Sequence, residues 1–117
     1  RNIGRLKDKG KEIEAEVTTL DIYCRENNIK PTFIKLDTEG SESLVLEGIG
    51  DVLENIRPTL SVEMGGGKEW AENNQKSIAL LKEYGYKPYD INENGGLVKH
   101  KIKQEYICEN LIFKPNR

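Results

Sequence analysis

Acidic side chains end two short apolar segments of this chain, and their placement is typical of a ligand site at the edge of a sheet. Asp37 closes the segment Thr32–Leu36, and Glu39 lies in the turn that follows it. Glu63 falls near the end of the next apolar segment, Pro58–Met64. Because ligands of open α/β sheets bind at the carboxyl ends of strands, we expect these three carboxylates to converge on one rim if the two strands are neighbours.

Clustered carboxylates have three chemical uses: a general base, a ligand for a cation, or a hydrogen-bond acceptor for a hydroxylated ligand. Each residue also has a purely structural explanation. Asp37 and Glu39 can serve as caps of the helix that follows them, since carboxylates stabilise helix N-termini. Glu63 can be a solvated acid at the end of a strand. The residue types alone leave these interpretations open.

Several neighbouring residues are less informative. Lys35 interrupts an apolar strand, which predicts either a lysine that extends its ammonium group to the rim or an ion pair with a site carboxylate. Gly65–Gly67 lacks the spacing of a phosphate-binding loop, so we interpret it as a flexible loop beside a substrate or as a linker. His100 is the only histidine and has no nucleophile motif around it, so we expect it at the surface.

The elements that must position these residues alternate between strands and helices. Ile13–Val17 alternates apolar and acidic residues, which predicts a half-buried strand. Period, caps and breakers predict strands at 13–17, 32–37, 58–64, 87–91 and 106–113, and helices near 19–27, 42–56 and 70–84. The predicted fold class is α/β, with a mainly parallel sheet covered by helices and one antiparallel strand at the end. The length predicts a single domain over 1–117, made of an N-terminal segment 1–12 and an α/β portion 13–117.

Composition excludes several classes of function. The 18 basic and 20 acidic residues give a net charge of -2, and no basic patch dominates, so we expect no nucleic-acid partner. No apolar segment is long enough to span a membrane, and no signal peptide is visible. Cys24 and Cys108 lack metal-ligand spacing and predict free thiols in a reducing, cytoplasmic compartment.

The order of motifs from Ile13 onward resembles the FkbM family of methyltransferases. Val17–Asp21 is similar to the family's "tLD" segment, and Ile34–Glu42 to its "iKlDvEGaE". Val45–Ile49 and Arg57–Glu63 follow in the same order, similar to "vLkGa" and "rP.i..E". The departures are Thr38 for the usual valine and Ser41 for the usual alanine, and they leave the carboxylate pattern unchanged.

This resemblance implies an S-adenosylmethionine-dependent enzyme with a class I, Rossmann-like sheet, of which this chain supplies the fourth and later strands. It places Asp37 near the methyl donor, as base or donor-orienting acid, with Glu39 and Glu63 shaping the site. It suggests a cofactor contact for Lys35 as well as Asp37, and an acceptor-side position for Gly40, Glu42, Gly65 and Gly66. The implied acceptor is a hydroxyl group on a small molecule or sugar.

The resemblance also implies a glycine-rich turn for the cofactor, and no such turn occurs before Ile13. We therefore expect this chain to be the C-terminal half of the domain, with an incomplete cofactor site. Two other functions fit the same residues. One is a non-catalytic module that forms a homo-oligomer through an exposed sheet edge, and the other is an acidic module that binds a divalent cation.

Overall fold

The computed structural model describes residues 2–8 and 10–116 and has an α/β fold with two separate sheets. The strands are β1 (Asn2–Asp8), β2 (Lys11–Val17), β3 (Phe33–Leu36), β4 (Thr59–Gly65), β5 (Tyr86–Ile91), β6 (Leu97–Lys99) and β7 (Cys108–Pro115). The helices are α1 (Leu20–Asn27), α2 (Glu42–Glu47) and α3 (Lys68–Glu83), with a π-helical turn over Val52–Ile56. No helix in these ranges is long and apolar enough to cross a membrane.

The larger sheet has five strands in the order β3-β4-β7-β5-β6. Only β3 and β4 pair in parallel, whereas the β4–β7, β5–β7 and β5–β6 pairs are antiparallel. The predicted mainly parallel sheet is therefore wrong, although the antiparallel last strand is confirmed. The physical reason is the position of β7, which returns between β4 and β5 and so separates strands that run in the same direction.

The smaller sheet is a hairpin of β1 and β2, in register from Asn2 opposite Val17 to Asp8 opposite Lys11. The strand predicted at 13–17 is confirmed as β2. Because β2 begins at Lys11, it crosses the boundary predicted between residues 12 and 13. The first strand, β1, was not predicted. The half-buried prediction is wrong, because Ile13 and Val17 are 57% and 45% exposed. Periodicity identifies an amphipathic strand but does not establish what covers its apolar side.

Two predicted helices have the predicted ends. Thr19 caps α1 through its hydroxyl oxygen, which accepts a hydrogen bond from the N–H of Ile22 at 3.2 Å. Asn28 ends α1 at a φ of 52°. Gly85 follows α3 at a φ of 79°, a conformation that glycine adopts without strain. A turn at Asn94–Gly95, a pair of residues typical of hairpins, joins β5 to β6, a short strand that was not predicted.

The single helix predicted over 42–56 is interrupted after Glu47. The start of α1 binds at the break, where the N–H of Asp21 donates to the Gly48 carbonyl at 3.1 Å. The Asp21 carboxylate accepts hydrogen bonds from the N–H groups of Asp51 and Val52 at 2.9 and 3.0 Å. A Cβ at Gly48 would lie 3.0 Å from Thr19, so this close approach favours glycine. Tertiary contact therefore divides a continuous apolar stripe into two helical pieces.

The core lies between one face of the five-stranded sheet and the helices. Leu60, Val62 and Met64 alternate along β4 and are fully buried. They pack in one cluster with side chains from β7, α2, α3 and the π-helical turn, including Leu111, Phe113, Leu46, Leu81 and Leu53. On edge strand β3 the other face carries Phe33, which is 54% exposed, and Lys35, which is also exposed. The covered face fixes β3 and β4 side by side, with their carboxyl ends at one rim.

Candidate functional site

The carboxyl ends of β3 and β4 bring together acidic residues that are far apart in sequence. Leu36 is opposite Val62 in the parallel register, so Asp37 and Glu63 follow at the same end of the sheet. One carboxylate oxygen each from Asp37, Glu42 and Glu63 lies within 4.8 Å of the others. The convergence of Asp37 and Glu63 is confirmed. Glu39 occupies the turn above them and is exposed.

Glu63 is the electrostatically unusual member of this carboxylate cluster. Its side chain is half-buried, and its Oε1 has no hydrogen-bond partner among the described residues. Burial raises the pKa of Glu63 to about 6, and a hydrogen bond with Asp37 and the negative charges of Asp37, Glu39 and Glu42 add to the effect. Below that pH, Glu63 holds a proton that it can donate to the Asp37 carboxylate.

Glu63→Gln is expected to stabilise the protein at neutral pH. The folded protein binds the Glu63 proton more tightly than the unfolded chain does, so its ionisation costs stability as the pH rises from 4.5 through about 6. Removing that ionisation should raise the free energy of unfolding above pH 6 by about 1 kcal/mol, because solvent screening at this half-buried site reduces the roughly 2 kcal/mol that such a shift represents. Urea titrations at pH 4 and pH 7.5 measure the difference. An equal effect at both values would contradict it.

Glu42 has a different role from its neighbours. It is fully buried at the start of α2 and accepts hydrogen bonds from the backbone N–H groups of Thr38 at 2.6 Å and Gly40 at 3.1 Å. These two residues flank Glu39, whose φ of 53° is unfavourable for a residue other than glycine. The Glu42 carboxylate therefore stabilises the loop after β3 through hydrogen bonds on both sides of Glu39. Its acceptor-side position stays a prediction, and the geometry assigns the side chain to the loop's support.

Asn73 is a site residue that the sequence did not reveal. Its side-chain amide donates to Glu42 Oε1 at 3.1 Å, and its carbonyl oxygen accepts from the N–H of Ser43 at 2.8 Å. Asn73 is buried on the face of α3 that also carries Ser77 and Leu81. The sequence did contain a signal for this role, because Asn73 lies at helical spacing from the apolar residue Leu81. An amide on the apolar face of a helix needs hydrogen-bond partners when that face is buried.

The first two glycines after Glu63, Gly65 and Gly66, are packed against neighbouring residues. Gly65 is a buried residue of β4, and it exchanges hydrogen bonds with the Asn74 side chain at 3.3 and 2.8 Å. A methyl group at Gly65 would overlap the Trp70 ring, and one at Gly66 would lie 2.8 Å from the Ile107 carbonyl oxygen. The expectation of a flexible loop is wrong here, because both glycines are needed for close approach. A Cβ at Gly40 would lie 4.0 Å from the Trp70 ring.

A cavity of about 260 Å³ opens beside these glycines. Its lining comes from the glycine segment, the start of α3 and the loop before β7: Gly65, Gly67, Lys68, Ala71, Asn74, Gln104, Glu105 and Tyr106. The lining includes Gly65, two residues beyond Glu63, and none of the residues of the carboxylate cluster.

The sequence expectations for Lys35 and His100 compare differently with the structure. Lys35 is exposed on β3 and makes no hydrogen bond or ion pair to the carboxylate cluster within residues 2–8 and 10–116, so the extended-lysine interpretation agrees with the structure. The expectation for His100 is wrong, because its side chain is only 2% exposed. It contacts Asp90 and Tyr106, which are ten residues before it and six after it. Sequence alone did not reveal these partners.

The fold and its acidic cluster together describe an α/β protein with a candidate ligand site at the ends of neighbouring parallel strands. Comparison with protein families adds a specific match, since the model of the methyltransferase FkbM domain fits residues 2–88. The chain belongs to this family of methyltransferases, and the resemblance noted from the sequence is confirmed. The matched range includes the whole carboxylate cluster and ends before β6 and β7. No curated protein and no solved structure matches the chain.

Proposed function

We propose that this chain carries the acceptor side of an S-adenosylmethionine-dependent methyltransferase that methylates a hydroxyl oxygen of a small molecule or sugar. The observation that carries the proposal is the Asp37–Glu63 pair, two carboxyl groups at one rim with the pKa of Glu63 raised to about 6. Such a pair can accept a proton near neutral pH, which is the requirement for a general base.

The strand directions support a Rossmann-like, class I sheet. Strands β3, β4 and β5 run in the same direction, and the antiparallel β7 is inserted between β4 and β5. This is the arrangement expected if β3 is the fourth strand of such a sheet and β7 is its antiparallel last strand. Ligands then bind at the carboxyl ends of the parallel strands, where the carboxylate cluster lies.

When bound, S-adenosylmethionine would supply an electrophilic methyl group, which is attached to its positively charged sulfonium. The acceptor oxygen would form its bond to the methyl carbon as the bond from that carbon to sulfur breaks, which would leave S-adenosylhomocysteine. We assign Asp37 to receive the hydroxyl proton because its carboxylate is exposed at the rim. Glu63 shares the proton with Asp37, and the charge of Glu39 adds to the field that favours a cationic donor.

The remaining assignments follow from position. Lys35 is exposed two residues before Asp37, where its ammonium group suits an anionic group of the cofactor. Gly40 and Gly65 face Trp70, and Gly66 contacts the loop before β7, so we place the acceptor in the cavity beside Gly65. Cys24 and Cys108 are free thiols, which supports a reducing, cytoplasmic location.

Calorimetric titration with S-adenosylmethionine tests this proposal, using the protein at the length that its gene encodes. We expect binding with a dissociation constant of about 1 μM to 1 mM, the usual range for enzyme substrates. We also expect release of S-adenosylhomocysteine with at least one member of a panel of sugars and phenols. A folded protein that neither binds the cofactor nor releases this product would refute the proposal.

Two observations favour other functions of the same surface. Strand β3 has a neighbour on only one side within the described residues, so its free edge suits pairing with a second copy. The oxygens within 4.8 Å at Asp37, Glu42 and Glu63 suit a divalent cation. A mass that rises with concentration in sedimentation supports the first function, and stabilisation by Mg²⁺ supports the second.

A further inference from the structure

Three residues beyond the matched range form a continuous chain of hydrogen bonds from β5 to the loop before β7. His100 Nδ1 lies 3.0 Å from both carboxylate oxygens of Asp90, and His100 Nε2 lies 2.9 Å from the Tyr106 hydroxyl. The Tyr106 oxygen also accepts a hydrogen bond from the N–H of Lys103 at 3.0 Å. The rings of His100 and Tyr106 stack with their centroids 5.7 Å apart.

The partners determine which way each proton points. The ionised Asp90 carboxylate only accepts hydrogen bonds, so His100 Nδ1 carries the proton and donates it. When the ring is neutral, His100 Nε2 accepts from the Tyr106 hydroxyl, and the Tyr106 oxygen accepts from the N–H of Lys103. Every polar atom of the His100 ring is therefore used, which explains how this histidine is buried.

The hydrogen-bond chain holds a loop against the end of β4 and the cavity beside Gly65. Residues 100–107 connect β6 to β7 and pass over the end of β4, where a Cβ at Gly66 would lie 2.8 Å from the Ile107 carbonyl oxygen and 3.0 Å from that of Tyr106. Gln104, Glu105 and Tyr106 form one wall of the cavity beside Gly65. Outside this cluster, Lys103 Nζ donates to Glu109 on β7 at 2.6 Å.

We propose that Asp90, His100 and Tyr106 are positioning residues that hold the 100–107 loop in place as the wall of the acceptor cavity. Asp90 orients the His100 ring, the ring holds the Tyr106 hydroxyl, and that hydroxyl holds the backbone at Lys103. The statement that the cavity holds the acceptor rests on the proposed function. The tether, which is the hydrogen-bond chain from Asp90 through His100 and Tyr106 to Lys103, does not depend on it. All three residues lie after residue 88, beyond the range that the family model matches.

Amide hydrogen exchange of Tyr106→Phe tests the tether, because this substitution keeps the ring and removes only the hydroxyl. We expect the Lys103 amide and the Gly65 amide, which borders the cavity, to exchange at least about tenfold faster, while the core amide of Val62 is unchanged. Tyr89→Phe on β5 is the matched control, since no hydrogen bond of the Tyr89 hydroxyl is found within the described residues. Unchanged exchange at Lys103 and Gly65, or an equal increase at Val62, would overturn the proposal.

Two substitutions of His100 separate positioning from simple filling of space. Glutamine offers an oxygen near the position of Nε2 that can accept from Tyr106, whereas leucine fills similar volume without an acceptor. We expect His100→Gln to restore most of the protection of the Lys103 amide that His100→Leu loses. Equal protection in the two variants would show that only packing matters. Because exchange is measured without cofactor or acceptor, a failure of methyl transfer would reject the proposed function and leave this result standing.

Discussion

Glu42→Ala is expected to lower the free energy of unfolding by about 4 kcal/mol, the range found when one partner of a buried charged network is removed. The substitution removes a fully buried carboxylate and leaves the N–H groups of Thr38 and Gly40 and the amide of Asn73 without their acceptor. It also removes the support that keeps Glu39 at a positive φ. Urea denaturation at pH 7 measures the loss.

Glu47→Ala provides the control for this experiment, because Glu47 is exposed on the same helix and should change stability by no more than about 0.5 kcal/mol. Glu42→Gln adds a finer comparison. Its carbonyl oxygen can still accept a backbone hydrogen bond, so its loss should fall between those of the two alanine variants. If Glu42→Ala matched the control, the buried carboxylate would be dispensable, and our account of the loop after β3 would be wrong.

Asp37→Asn is expected to reduce the rate of methyl transfer by about 10²- to 10⁴-fold, the usual contribution of a general base. Asparagine keeps the size of the side chain and its capacity to accept a hydrogen bond, but it cannot take the proton of the acceptor hydroxyl. Because Asp37 is exposed, the variant should fold normally. The measurement is the rate at which the protein, at the length that its gene encodes, releases S-adenosylhomocysteine. The acceptor is the most active member of the panel of sugars and phenols.

Asp51→Asn is the matched control for charge, since Asp51 is an exposed aspartate whose side chain contacts Asn55 and not the carboxylate cluster. We expect its turnover to equal that of the unmodified protein. An Asp37→Asn enzyme with unchanged turnover would remove Asp37 from the role of base. If Glu63→Gln alone then abolished turnover, the role would belong to Glu63.

Local patterns in the sequence were sufficient for most elements. Alternation located β2 and β4, and the Thr19 cap and Gly85 gave the ends of α1 and α3, because these signals act between residues a few positions apart. The carboxylates that follow two buried strands predicted the rim at which Asp37 and Glu63 meet. The same segment carries the motif that resembles the family, so the sequence predicted both the candidate site and the methyltransferase family.

The functions of individual carboxylates could not be read from the sequence. Glu42 and Glu39 are both acids in one short turn, yet Glu42 is fully buried and Glu39 is exposed. The difference depends on Asn73, which is 31 residues away from Glu42 and contacts it only when α3 packs on α2. His100 is similar, because its burial requires Asp90 and Tyr106 to meet it from opposite sides.

What the sequence by itself determined is therefore most of the strands and helices, the acidic rim and the methyltransferase family, since each depends on residues close together in the chain. Only the tertiary structure decided the strand order, the division of the helix at Gly48 and the assignment of Glu42 and His100 to buried networks. These features depend on β7 inserting beside β4 and on α1 and α3 packing against residues far away in sequence. Long-range pairing and burial choose among partners that a local pattern does not distinguish.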